Sequence, residues 1–354
     1  MAVEKIRNEL GENHPDYATI LNNLAEFYRT SSNYEKAEPL YQEAIKIKKE
    51  ILGENHTDYA IGLNNLARLY YGTGDYEKAE PMYLEALRIY KEILGENHPD
   101  YATSLNNLAE LYRTTGEYER SEPIYLEAAR IMKSVRGENS LAYATSINNL
   151  ATLYKATGKY DKAESLYLEA LRLKKGILGE NHPDYATSLN NLATVYKETG
   201  NYVKAEGLYL NVLEIDKVFL GENHPNYATS LNNLAEVYTA MGNYDKAESL
   251  NLEALRIRKR ILGENHPSYA GSLNKLATNY YSSGNYEKAE IMYLEALKIY
   301  RITLDKNQPS YTITLNNLAV LYKATGNYEK AEVMYLEALR MRKKYSVKTI
   351  LLMH

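Results

Sequence analysis

Histidine, asparagine and lysine are the residues here whose types and spacing could do chemistry, and each returns at a fixed interval. Six histidines, His14, His56, His98, His182, His224 and His266, occupy equivalent places in a 42-residue period, and Ser140 and Gln308 stand where two more would fall. An imidazole can ligate a metal or move a proton, but a metal needs ligands that converge on one point. One histidine per period spreads them out instead. Pro, or Thr57 in one copy, follows each of the six, which predicts a loop or capping role just ahead of a helix. No glycine-rich phosphate loop, Ser-His-Asp set or unique acid pair stands apart from the repetition. The sequence therefore predicts no enzyme, no metal and no cofactor.

Asparagine carries the clearer signal. Asn22, Asn64, Asn106, Asn148, Asn190, Asn232, Asn274 and Asn316 each start a pair whose second member is also Asn, except at Lys275. An amide both donates and accepts, so a ladder of them could hold the backbone of an extended peptide whatever its side chains. The same ladder could instead bridge adjacent helices and only fix their stacking. One helical turn on, the chain places Arg29, Tyr71, Arg113, Lys155, Lys197, Thr239, Tyr281 and Lys323. The position facing most squarely away from the apolar stripe reads Glu26, Arg68, Glu110, Thr152, Thr194, Glu236, Thr278 and Val320. Lys155 and Lys197 thus lack an acid at that place in their own helix. These patterns predict a peptide-binding strip through Asn106, Asn107, Arg113, Asn148, Asn149, Lys155, Asn190, Asn191, Lys197, Asn232 and Asn233. An acidic-peptide site would centre on Asn148, Asn149, Lys155, Asn190, Asn191 and Lys197; the alternative is solvated surface charge.

The elements that must position these residues follow from the period. Eight copies without an insertion indicate a repeat array. Each copy reads as two helices, so the fold class is all-α. The first helix starts at Pro, as at Pro99, where the missing N–H costs nothing. Leu105, Leu108, Ala109 and Tyr112 then form an apolar stripe at helical spacing, and Gly116 ends it in a left-handed conformation. Thr103, Asn106, Asn107, Glu110, Arg113 and Thr114 fill the polar sector. The second helix opens after Asn33, Asp75 or Asn243, expected as side-chain N-caps, and turns Tyr76, Ala79, Tyr83, Ala86 and Leu87 inward. Pro39, Pro81 and Pro123 interrupt its second turn and should cost a hydrogen bond.

Composition narrows the class. A net charge of −4 gives no global attraction to nucleic acid, and the strip mixes Glu with Arg, so no nucleic-acid partner is predicted. Cysteine is absent, which excludes disulfides and thiolate chemistry and suits a reducing compartment. No stretch approaches the ~20 apolar residues of a membrane helix, and the N-terminus lacks the apolar run of a signal peptide; a cytoplasmic protein without membrane contact is expected. Tyrosine is abundant, with 36 copies against 2 Phe and no Trp. It suits a thin two-layer structure in which a ring is buried while its hydroxyl reaches water or a partner.

The pattern at Leu108-Ala109, Tyr112, Gly116-Glu-Tyr118, Tyr125 and Ala128 resembles the tetratricopeptide repeat, whose usual period is shorter. The long form, with Asn-Asn-Leu-Ala and Leu-Gly-Glu-Asn-His-Pro, is similar to the kinesin light chain and nephrocystin class over about residues 11–342. The resemblance implies a right-handed superhelical solenoid whose first helices line a concave face that receives peptides or partner helices. It favours ligand contact for the second Asn of each pair. Kinesin light chains take cargo peptides with acidic and aromatic residues, so the expected role is a protein-interaction scaffold. The organisation expected is 1–13 as the remnant of a preceding second helix and loop, 14–342 as eight units, and 343–354 as a C-terminal tail or cap. Those cut-looking ends raise two alternatives: a structural element that self-associates end to end, and the sensor part of a larger signalling protein.

Overall fold

The computed structural model describes residues 11, 13–31, 33–303 and 309–350. Among them it holds sixteen α-helices and no strand. The first helices of the repeats are α1 (Pro15–Thr30), α3 (Thr57–Thr73), α5 (Pro99–Thr115), α7 (Leu141–Ala156), α9 (Pro183–Glu198), α11 (Pro225–Ala240), α13 (Pro267–Ser282) and α15 (Pro309–Ala324). The second helices are α2 (Tyr34–Leu52), α4 (Tyr76–Leu94), α6 (Tyr118–Arg136), α8 (Tyr160–Leu178), α10 (Tyr202–Phe219), α12 (Tyr244–Leu262), α14 (Tyr286–Thr303) and α16 (Tyr328–Ile350).

The chain divides into two compact units, Met1–Ile177 and Leu178–His354. In the first, each helix from α1 to α7 packs on the next; in the second, the same holds from α9 to α16. First helices of successive repeats also meet directly, α1 with α3, α3 with α5 and α5 with α7 in one unit, α11 with α13 and α13 with α15 in the other. The architecture in each unit is thus an all-α repeat stack with the first helices side by side. The segment set apart from residue 343 continues α16 as far as Ile350; residues 1–10 and 12 of the expected N-terminal remnant lie outside the described residues, as do 351–354.

Each first helix starts as its residues dictate. The Nδ1 atoms of His14, His56, His98, His182, His224 and His266 accept the backbone N–H two residues on, at 3.1–3.2 Å. At Ser140 the hydroxyl oxygen does the same work for Tyr143 N–H at 3.2 Å. The histidine lone pair that could have bound a metal is therefore engaged at a helix start. At the other end, Gly116 takes a φ of 85°, and Glu117 N–H closes back on Tyr112 O at 2.8 Å. Gly95, with φ 83° and ψ 164°, holds a conformation that only glycine adopts readily, and so redirects the chain into the next repeat.

Two expectations need correction. Asn33, Asp75 and Asn243 stand at the starts of second helices but make no side-chain cap. Their backbone N–H groups instead bond Tyr28, Tyr70 and Tyr238 carbonyls at 2.8 Å, closing the preceding helix. The polar sector is also less free than a single-helix projection suggests, because Glu26 and Glu110 accept the hydroxyls of Tyr41 and Tyr125 on the second helix, both at 2.6 Å.

The tyrosines explain the composition. Tyr70, Tyr112, Tyr238, Tyr280 and Tyr322 donate to Glu38, Glu80, Glu206, Glu248 and Glu290 of the preceding repeat at 2.7–2.8 Å. A cation from the same repeat covers each ring: Lys78, Arg120, Lys246, Lys288 and Lys330 lie 3.8–5.1 Å from the centroids. The ring fills the gap between repeats and the hydroxyl clasps the neighbour, which phenylalanine could not do. Alanines such as Ala109 and Ala128, fully buried, let the paired helices approach closely.

Candidate functional site

The asparagine pairs separate into two roles. The first member is largely inter-repeat mortar. Asn64 accepts from Ser104 at 2.9 Å, and Asn106 donates to Ser146 at 3.2 Å and to its own Ala102 carbonyl at 3.1 Å. Asn232, fully buried, accepts from Ser272 at 2.8 Å and Arg258 at 3.1 Å while donating to Asn251 at 2.9 Å. Asn148 is buried too. The second member lies nearer the surface. Asn65, Asn233 and Asn317 donate to the first Asn of the preceding repeat, namely Asn22, Asn190 and Asn274, at 2.9–3.2 Å. Asn107, Asn149 and Asn191 are half-buried. The ladder thus ties first helices together and leaves a row of amide edges along them.

The cations are paired rather than isolated. Arg113 holds Glu110 through Nε at 2.8 Å and Nη2 at 2.5 Å. Burial alone would raise the Glu110 carboxyl, but Arg113 and the Tyr125 and Tyr71 hydroxyls keep it below the ordinary range. Lys197 has no acid in its own helix at that position, yet its Nζ binds Glu236 of the next repeat, and Lys275 binds the other oxygen of that carboxylate. Burial works against the charge on Lys197, and Glu236 more than restores it. A single-helix projection cannot see a partner 39 residues away. Of the predicted acidic-peptide centre, Asn148, Asn149 and Lys155 belong to the first unit, and Asn190, Asn191 and Lys197 to the second. Lys155 is half-buried.

In the second unit an opening lies among the first helices. A cavity of about 560 Å³ is walled by α11, α13 and α15, with Glu236, Asn274, Lys275 and Thr278 among its lining and Asn251 and Tyr300 reaching in from second helices. Its position follows from departures from the repeat. Asn251 stands where the other seven copies have Tyr, and Gly271 replaces the Thr or Ile found there in the rest. Laying the eight copies over one another would have found both; attention to what recurs passed over them.

The chain belongs to the tetratricopeptide repeat family. The family model matches residues 1–50, 16–92, 58–134, 100–176, 142–215, 184–260, 228–302 and 270–344, so successive matches overlap along the chain. No curated protein matches. Among solved structures, BtubC (BKLC) from P. vanneervenii is 30% identical, covers 66% of this chain and 91% of its own, and has a TM-score of 0.49. A kinesin light chain-like protein from Podospora anserina with nearly identical repeats is 25% identical over 58% of this chain and 97% of its own, TM-score 0.52. A Rap protein complexed with competence and sporulation factor shares the fold at 15% identity, over 94% of this chain and 99% of its own, TM-score 0.60. The chain is a repeat scaffold of the protein-interaction class. No helix among the described residues is long and apolar enough to cross a membrane.

Proposed function

We propose that the face formed by the first helices holds an extended, acidic segment of a partner protein, and that the chain acts by binding rather than by catalysis. The observation that carries this reading is the opening across α11, α13 and α15, where the amides of Asn251, Asn274 and Asn317, several hydroxyls and the Lys275–Glu236 pair stand among apolar groups such as Ala240 and Ile313. Amide edges supply donors and acceptors suited to a peptide backbone in each unit, at Asn107 and Asn149 in the first and at Asn191 and Asn233 in the second. Charge supports the acidic preference. In the second unit Lys197 and Lys275 share the single Glu236 carboxylate, which leaves that cluster one positive charge in excess. In the first unit Arg113 and Lys155 occupy the position equivalent to Lys197.

The test is selection from a random peptide library with the parent chain and with a Lys197→Ala/Lys275→Ala variant, circular dichroism confirming that both keep their helix content. Enriched acidic peptides that bind the parent and lose at least tenfold in affinity on the folded variant support the reading. Enrichment of basic or uncharged peptides, or equal binding to both proteins, overturns it.

A further inference from the structure

The cavity contains a vacancy for which the molecule itself supplies the template. In repeats 1 and 3 the second helix carries Tyr41 or Tyr125, whose fully buried ring lies against the first helix and whose hydroxyl donates to Glu26 or Glu110 at 2.6 Å. Repeat 6 keeps the acceptor, Glu236, at the same position but carries Asn251 in place of the ring. Both residues line the opening. Asn251 turns its amide oxygen inward to Asn232 Nδ2 at 2.9 Å and is itself 2% exposed, so it does not extend into the space a ring would take. Gly271 removes a second side chain from the same wall: a Cβ there would stand 3.5 Å from the Tyr300 hydroxyl.

We propose that this vacancy is an anchor pocket for a tyrosine side chain of a partner protein, which enters beside Asn251 and donates its phenolic proton in a hydrogen bond to Glu236. The carboxylate already accepts from Lys197 and Lys275 and retains lone pairs for a third donor, as Glu110 accepts from Arg113, Tyr125 and Tyr71 together. The two lysines hold Glu236 ionised against its burial, so the acceptor is charged when the phenol arrives, and such hydrogen bonds are the stronger kind. Phenylalanine would fill the same space without that bond. The pocket deepens the partner-binding reading by naming the anchor, but binding of a free phenol does not depend on peptide recognition.

The experiment uses 4-ethylphenol and ethylbenzene as probes, followed by calorimetry and by chemical-shift changes at Gly271, on the full chain and on Asn251→Tyr. That variant restores the residue of the other repeats and is expected to melt several degrees higher than the parent. Supporting results are saturable 4-ethylphenol binding to the parent, at least fivefold weaker binding of ethylbenzene, and loss of at least tenfold in Asn251→Tyr. Absence of saturable phenol binding to the parent, or unchanged binding in the folded Asn251→Tyr variant, overturns the pocket. In the peptide selection, tyrosine-free binders that are indifferent to Asn251→Tyr would overturn the anchor while leaving groove binding intact. Failure of all peptides with phenol binding retained would reject groove binding and keep the pocket.

Discussion

Replacing Tyr238 by Phe removes one oxygen and leaves the ring in place. The ring is 8% exposed and lies 5.1 Å beneath the Lys246 ammonium, and both features survive the change. What disappears is the 2.8 Å hydrogen bond from the hydroxyl to Glu206 in the preceding repeat. Burial and that carboxylate together push the phenol up to about 12, which marks it as a donor across the whole working pH range. A hydrogen bond to a charged partner contributes about 1.5–3 kcal/mol in buried settings. Glu206 is half-buried and water can replace the lost donor, so the expected loss is about 1 kcal/mol. Tyr280 and Tyr322 make the same bond to Glu248 and Glu290, each joining a different pair of repeats. The triple Phe variant should therefore lose about 3 kcal/mol, since independent interfaces add. Urea unfolding followed by far-UV circular dichroism measures this, with the slope checked for each protein because arrays can unfold in stages. Tyr202→Phe is the control, its hydroxyl having no partner among the described residues. If Tyr238→Phe matches that control, or if the triple variant loses no more than the single, the hydroxyl clasp is not what binds repeat to repeat.

Other outcomes follow from the same geometry. Asn232→Ala strips Arg258 and Ser272 of a buried acceptor and should cost about 3 kcal/mol, whereas Asn233→Ala, nearer the surface, should cost about 1 kcal/mol; equal losses in urea titrations would contradict the division of roles. Glu26 is held down to about 2 chiefly by its hydrogen bond with Arg29, against burial and with help from Tyr41. Its contribution is present above the ordinary carboxylate value of 4.5 and is lost as pH falls from there through about 2. With the side chain 34% exposed, screening reduces this to on the order of 1 kcal/mol, and Glu26→Gln should flatten stability over that pH window. Pro81→Ser should raise the melting temperature, corresponding to about 1–2 kcal/mol, because α4 runs straight through this proline and serine occupies the equivalent places at 165 and 249.

Much of the fold was legible because a repeat states its rules eight times. The Pro starts, the glycine stops and the stripe at Leu105, Leu108, Ala109 and Tyr112 all come from one-dimensional spacing, and the structure places them accordingly. The histidines were legible as helix-entry residues for the same reason. The site was less so. Lys197 looked unpaired because its acid sits on the first helix of the next repeat, and Glu110 looked outward although Tyr125 reaches it from the second helix. Both contacts run between elements, where a single-helix projection has no information. Asn251 and Gly271 were visible as letters, but the consequence of a missing ring depends on the space around it.

Among the described residues of each unit, the side-chain bonds between repeats reach only the adjacent copy. Asn65 joins Asn22, Tyr70 joins Glu38, and Tyr112 joins Glu80. Excision of residues 53–94 would fuse Leu52 to Gly95, the same dipeptide step that already occurs at Leu94–Gly95. Asn22 would then face Asn107 instead of Asn65, and Glu38 would face Tyr112 instead of Tyr70, with the side-chain types of these two contacts conserved, whereas Glu26 would meet Glu110 in place of Arg68 and Ile45 would meet Ser104 in place of Gly62. Unequal crossing-over in the coding sequence can therefore lengthen or shorten such an array by whole units while the amide and tyrosine contacts of the seam persist and only the variable positions change partner. Copy number becomes free to vary under selection for span, while individuality has to be written into rare point changes such as the one at Asn251.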